Sequence, residues 1–462
     1  MSLISAVDNA TSSLRAIQAD MQIVSGNVSN AGVDGYTKKS INLSADTNGT
    51  NGAGGVLVTG YSRATSDVIS KLLNQALSDN GLHGTQKEYL SRIQDLLGSN
   101  QSNPALSQTL SDFSAAWKNF ATSPEDGTAK LNIVFKAQNL TREISTLADG
   151  LDKINSDANL DLSAAVTTLN NSLNRVHELN NEISSALASG QSSGDLEDLR
   201  DKEVQTISSL TKINVVQRAG GRIAIFTPGG SSMLDAAPNQ YAWNGIDITQ
   251  TSSGSIVTNI LTGGKLEALV GILDQGSSAT TLNDPGKAST YKIQQQLDKI
   301  VDLLANPANS FAIAYDSATT LAGEQAASFF TGATRYNFAL NASIANNTTT
   351  VKKAAAVPVS NDLSLETRSI SAGNLSTTNV SYTTFANAVI AKQNQSTSQV
   401  NDQATVYATQ KDYYSKRLKD ETGVNVDEEI VKLTQLQNNY SASARVISVV
   451  KQMYDIIDGI VR

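Results

Sequence analysis

The chain has 462 residues, 17% charged and 5% aromatic, with a formal net charge of −8 and no cysteine. That length allows roughly two to four domains, and the missing cysteines exclude disulfides, thiolate metal sites and cysteine nucleophiles. The acidic balance, with no Lys/Arg cluster, argues against nucleic acid or a membrane surface as partner.

The opening stretch carries the first strong pattern. Leu3, Val7, Ala10, Leu14, Ile17, Met21, Val24, Val28 and Ala31 recur in steps of four and three, a heptad seam along one helix. Ser2 is placed to cap it. Asn27, Asn30, Gly32 and Gly35 then supply the left-handed positions that a helix exit and a tight turn need. Asp8 and Asp20 interrupt the stretch, so it does not read as a cleaved signal peptide. Taken alone, such a stripe more often marks a helix that covers an ordinary core.

Residues 37–61 read as an extended segment with a flexible Gly/Asn tip around 48–55. From 62 to 190 helical periodicity dominates, broken at Ser123–Gly127, where Pro124 cannot continue a helix. A Gly/Ser linker at 190–194 leads into the acidic run Asp195–Asp201, which reads as a solvated helix start rather than a calcium loop. Short alternating segments at 213–216, 222–226 and 245–248 then predict strands, with a β-rich insert over about 205–270. Helical pattern returns at 266–273 and 293–304. Residues 325–380 read as β or irregular, and 384–420 as an unusually polar helix.

The closing stretch mirrors the opening. Leu433, Leu436, Tyr440, Ser443, Ile447, Val450, Tyr454, Ile457 and Val461 again step by three and four. Asn425 with Glu428 resembles a capping box, and Asp427, Glu428 and Glu429 suit the positive end of the helix dipole. No stretch approaches the ~18 apolar residues of a membrane-spanning helix. The only histidines, His83 and His177, lie in polar helical stretches without a base or ligand partner nearby. Phosphate-loop, HExxH and GxSxG motifs are absent. The expectation is no catalytic residue, no cofactor, no metal and no enzyme.

The order helices, β insert, helices predicts a mainly α, elongated multidomain protein with nested halves. Residues 1–61 and 421–462 would pair as an α-helical coiled coil. Residues 62–204, 271–324 and 381–420 would form a helical rod-like bundle, and 205–270 with 325–380 an outer β-rich domain.

At the two ends the sequence also resembles a known family. Asn27, Asn30, Gly35 and Tyr36 fit the N-x-x-N-x-x-x-x-G-Y signature of the bacterial flagellar axial (rod and hook) family. Val424, Asn425, Asp427, Glu428 and Glu429, then Leu433, Gln437, Tyr440, Ala442, Ala444, Val446 and Ile447, fit its closing segment. The double Glu and the Leu199-Arg200-Asp201 segment resemble the family's junction members more than its hook members. Lys38 and Lys39 depart from the Arg-Gln pair common there. The resemblance implies a structural adaptor between flagellar hook and filament; the alternative is a hook or rod subunit. It implies assembly through Leu3, Val7, Leu14, Ile17, Met21, Val24, Asn27, Asn30, Gly35, Tyr36, Leu433, Leu436, Tyr440, Ile447, Val450, Tyr454 and Ile457. The implied partners are copies of itself, the hook protein, the second hook-associated junction protein, and a cytoplasmic export chaperone on the C-terminal helix. Export would follow the flagellar type III route, without a cleaved signal peptide.

Overall fold

The computed structural model describes residues 3–46, 54–98, 106–273, 290–324, 328–347 and 351–461. The expected cap at Ser2, the tip at 47–53 and the side chain of Val461 lie outside these.

The first element, α1 (Leu3–Asn30), ends where the Asn/Gly run begins. The Val33 and Tyr36 amides close successive turns onto the Asn30 and Val33 carbonyls, and Gly35 sits at φ +82°. The chain then folds back as an antiparallel hairpin of β1 (Lys39–Asp46) and β2 (Gly55–Arg63). This hairpin lies against α1. The Val56 amide donates to Ser12 Oγ at 3.2 Å, and a Cβ at Gly55 would meet that oxygen at 2.8 Å. Glycine there permits the close approach.

Helices α2 (Asp67–Leu97), α3 (Leu106–Thr122) and α4 (Gly127–Ala188) follow. The gap between α3 and α4 holds Pro124, as the sequence predicts. Helix α4 is one continuous helix whose buried positions, from Ile133, Ala137, Leu140 and Ile144 to Val176, Leu179 and Ile183, keep the three–four spacing throughout. Next come α5 (Gly194–Leu210) and the three-stranded sheet β3 (Asn214–Gln217), β4 (Ile223–Phe226) and β5 (Ser232–Leu234), in that order.

A two-stranded ladder joins β6 (Tyr241–Trp243) and β7 (Ile248–Gln250). Here the sequence reading needs correcting, because 245–247 is the turn and not a strand. Gly245 has φ +96°, and Asn244 Oδ1 accepts the amides of Ile246 and Asp247, a side-chain-closed turn.

The remaining helices are α6 (Gly264–Leu273), α7 (Thr290–Ala305) and α8 (Ser310–Asp316). After the short ladder β8 (Phe330–Thr331) with β9 (Ala339–Leu340) come α9 (Ala342–Asn346) and α10 (Ala356–Ser364). The ladder β10 (Arg368–Ala372) with β11 (Leu375–Val380) precedes α11 (Tyr382–Thr422) and α12 (Val426–Val461). The stretch 325–380, expected to be β or irregular, therefore also contains helix. The protein is mostly helical, and among the described residues no sheet exceeds three strands.

The chain divides into two compact units. The first comprises Met1–Asp79, Thr168–Gln240 and Ala408–Arg462, and the second Asn80–Thr167 and Tyr241–Tyr407. The sheet β3–β4–β5 belongs to the first, and the ladder β6–β7 to the second. In the first unit the buried Asn180 of α4 pins the sheet, donating to the Ile223 carbonyl (2.8 Å) and accepting its amide (3.1 Å). The second unit concentrates the chain's few aromatic rings. Phe113, Trp117, Phe311, Tyr315, Phe329 and Phe330 pack at centroid separations of 4.9–6.5 Å, mostly tilted or edge-to-face. That geometry suits the ring quadrupoles.

Candidate functional site

Both predicted terminal stripes fall in the first unit and meet there. Helices α1 and α12 pack antiparallel: Ser13 lies opposite Ser443, Asp20 pairs with Lys432 at 2.8 Å, and Asn27 bonds Glu429. Ile17, Val24 and Leu436 form the apolar centre, flanked by Met21 and Leu433. Burying each of those aliphatic side chains contributes about 1.5–3 kcal/mol. Leu3, Val7, Leu14 and Ile447 are half-buried, and Val450 is buried.

Three seam positions are not covered by α1. Tyr440, Tyr454 and Ile457 remain 37%, 41% and 48% exposed. For the last two, the register gives the reason. Counting back from the Ser13–Ser443 contact at equal rise, Leu3, the first described residue, reaches roughly residue 453, so both lie beyond the described part of α1.

At the other end of the seam the signature residues converge. Asn27 has no exposed surface, and its amide is fully used. Its Oδ1 accepts the Lys39 amide (3.0 Å) and the Tyr36 hydroxyl (3.1 Å). Its Nδ2 donates to the Lys39 carbonyl (2.9 Å) and to Glu429 Oε2 (2.9 Å). One side chain thus ties the last turn of α1 to the start of β1 and the first turn of α12. Asn30 has a local role, donating to the Gly26 carbonyl at 3.0 Å. Asn425 caps α12 one position earlier than a capping box requires. Its Oδ1 accepts the Asp427 amide at 3.1 Å, while its Nδ2 donates to Glu428. Lys38 bridges Glu428 and Glu429 at 3.4 and 3.1 Å.

A second cluster lies beside the first, and sequence reasoning missed it. The run Asp195–Asp201, expected to be solvated, is an ion-paired anchor. Lys39 is buried, with its ammonium 2.7 Å from Asp195, 2.9 Å from Asp198 and 3.4 Å from the Tyr36 ring centre. Arg63, at the end of β2, reaches Glu197 (2.7 Å), Asp198 (2.9 Å) and Asp201 (2.7 Å). Thr37 adds its amide and hydroxyl to Asp198, at 3.2 and 2.7 Å. The signal present in the sequence was the departure at Lys38-Lys39 set against an unusually dense acidic helix start.

The protonation balance follows from these contacts. Burial pulls the Lys38 and Lys39 ammonium groups down, but their carboxylates outweigh it, so both are raised above 10.5. Burial pushes Glu197 up, yet the Ser193 hydroxyl and the Arg63 guanidinium hold it below its ordinary value. Asp201 shifts the other way, raised by burial in spite of Arg63.

A cleft of about 1030 Å³ adjoins the cluster, walled by residues 31–37, the start of α2, α5, β3 and the α11–α12 connection. Among the described residues, no group of three or more His, Asp or Glu could hold a metal ion. No helix of the described residues is long and apolar enough to cross a membrane. His83 stacks on Tyr407 at 4.7 Å, and His177 lies beside Asn181.

Comparison with known proteins places the chain among flagellar proteins. Residues 421–460, spanning α12, match the family described as "Flagellar basal body rod FlgEFG protein C-terminal". The chain is 28% identical over 326 residues to flagellar hook-associated protein 1 of Salmonella typhimurium, covering 68% of this chain and 56% of that one. It is 26% identical over 320 residues to the Escherichia coli protein of that name, with the same coverage. To the Bacillus subtilis protein it is 23% identical over 240 residues, covering 50% of this chain and 47% of that one. The chain thus spans little more than half the length of the curated relatives it matches. A solved flagellar hook junction protein FlgK from Burkholderia pseudomallei shares 22% identity at a TM-score of 0.47, over 56% of this chain and 46% of that one. Residues 90–330, more than half the chain, match "Flagellar hook-associated protein FlgK helical domain", and the chain belongs to that flagellar hook-associated protein family.

Proposed function

We propose that this chain is a structural adaptor at the junction between flagellar hook and filament, built into the flagellum through its terminal helices and performing no catalysis. The observation that carries the reading is a second apolar stripe on α12. Val431, Val446, Val449, Met453 and Ile456 are all exposed, roughly a third of a turn round the helix from the face that α1 covers. A helix apolar on two faces is suited to being buried between neighbours. Copies of the chain stacked side by side would cover this stripe together with Tyr454 and Ile457.

On this reading the terminal pair, 1–61 with 421–462, is a coiled-coil assembly domain. Residues 62–204, 271–324 and 381–420 act as a helical spacer, and 205–270 with 325–380 as the outward part. The partners are further copies, the hook protein on one side, the second hook-associated junction protein on the other, and an export chaperone that shields α12 beforehand. The place of action is the extracellular flagellum, reached by the flagellar type III route.

The test is Val446→Asp with Val449→Asp in the full-length gene. Both side chains are exposed, so the purified variant should keep the parent's circular dichroism. Cells carrying it should make hooks, lack filaments and shed flagellin into the medium. Normal filaments would sink the proposal. Unlimited tubes from the purified parent protein would favour the hook or rod alternative.

A further inference from the structure

We infer that Asp198 is a positioning residue, the pivot that fixes the direction in which the terminal helix pair leaves α5. The inference rests on the reading of that pair as an assembly element and adds what holds it in place.

Two kinds of contact meet in the first unit, and they differ in physics. The α1–α12 seam is apolar at its centre, where burial is non-directional, and its register is held by the Asp20–Lys432 and Asn27–Glu429 contacts. The join to α5 is made by a carboxylate with defined donors. Asp198 Oδ1 accepts Thr37 Oγ1 (2.7 Å) and Arg63 Nη1 (2.9 Å). Its Oδ2 accepts the Thr37 amide (3.2 Å) and Lys39 Nζ (2.9 Å). Four donors, from both strands of the hairpin and from the turn before it, fix a distance and an angle together.

The surroundings are shaped for this join. The Asp198 side chain is only 9% exposed. A Cβ at Gly194 would lie 2.9 Å from Lys39 Cε, so glycine at the start of α5 makes room for the lysine stem. The crossing segments are also tied to each other. The Lys38 amide donates to the Thr422 carbonyl at the end of α11, and the Ala64 amide to the Lys38 carbonyl, each at 2.8 Å. A change at Asp198 therefore moves the hairpin and both terminal helices as one body. The other carboxylates cannot replace it: the Asp195 side chain is 82% exposed, and Glu197 and Asp201 contact Arg63 alone of the two cations.

The test uses the absence of native cysteine, which leaves engineered cysteines as the only labelling sites. One spin-label pair, Ala45→Cys with Leu199→Cys, reports hairpin to α5. A second, Gln18→Cys with Gln437→Cys, reports α1 to α12. Each is measured in the purified full chain. The parent should give one narrow distance for each pair. Asp198→Ala should at least double the width of the first distribution and leave the second unchanged, whereas Asp201→Asn should change neither. A first pair that stays narrow in Asp198→Ala overturns the inference. So does widening of both pairs together, which would make Asp198 a general stabiliser. Filament formation is not read in this experiment, so the junction reading keeps its own separate test.

Discussion

Replacing Asn27 by alanine probes the point where α1, β1 and α12 are tied. The substitution removes four hydrogen bonds and fills nothing in return. The Tyr36 hydroxyl is half-buried and can turn to water; Glu429 keeps Lys38 at 3.1 Å on Oε1, but its buried Oε2 loses the Asn27 donor, which adds to the backbone loss that follows. The amide and carbonyl of the buried Lys39 lose their Asn27 partner outright. Two unsatisfied backbone groups at about 1–3 kcal/mol each give an expected loss of ~2–6 kcal/mol. At 1.4 kcal/mol per decade, a mid-range loss of about 4 kcal/mol raises the opening equilibrium constant, and so lowers protection, roughly 1000-fold. Amide hydrogen exchange at residues 24–30 and 426–432 reads this directly. Asn27→Asp should be worse, since it sets a carboxylate against Glu429 Oε2 and the Lys39 carbonyl, where Nδ2 now donates. A fall in protection below tenfold for alanine, or an aspartate variant milder than alanine, would refute the role assigned to this side chain.

Three further outcomes are expected. Val24→Asp places a charge at the fully buried centre of the seam and should cost ~3–5 kcal/mol. Helical circular dichroism should then fall, while tryptophan fluorescence holds, because Trp117 and Trp243 both lie in the second unit. Gly332→Ala should do the reverse. At φ +95° its Cβ would lie 2.1 Å from the Asn337 carbonyl oxygen, so the second unit loses about 1–3 kcal/mol and the fluorescence transition shifts to lower denaturant. The third concerns alkali. Lys38 and Lys39 are raised above 10.5, so their stabilisation is complete below that value and fades as pH rises through their shifted values. The Ala45–Leu199 distance should stay narrow from pH 7 to about 10 and broaden above 10.5; broadening that begins below pH 10 would count against the ion pairs.

The long helices were legible because one physical rule governs them. Apolar residues every three or four positions mark a buried face, and α4 keeps that rhythm over its length. The strands at 214–217 and 223–226 were legible by alternation and turn residues. The β6–β7 turn was not, because Ile246 and Ile248 suggested alternation through a segment whose geometry is set by Asn244 and Gly245. For the candidate site, composition misled. Lys39 and the acids of α5 look like solvated surface when read locally, yet they lie more than 150 positions apart and neutralise one another. Pattern reading sees neighbours along the chain, whereas ion pairs of this kind are fixed only by tertiary closure. Tyr454 and Ile457 show the converse limit. Their spacing is correct for a seam, but spacing does not say where the partner helix stops.

The antiparallel meeting of α1 and α12 has a kinetic consequence. Asn27 and Glu429 are 402 positions apart, so α1 cannot bury Ile17 and Val24 until α12 has been made. Closing so long a loop adds only about 0.6 kcal/mol per doubling of its length, a modest penalty once the intervening units have shortened the search. Before then a nascent or truncated chain presents α1 as an uncovered apolar helix. Closure of the first unit is therefore a late event that waits for α12, and a product lacking α12 should be the first to aggregate or be degraded.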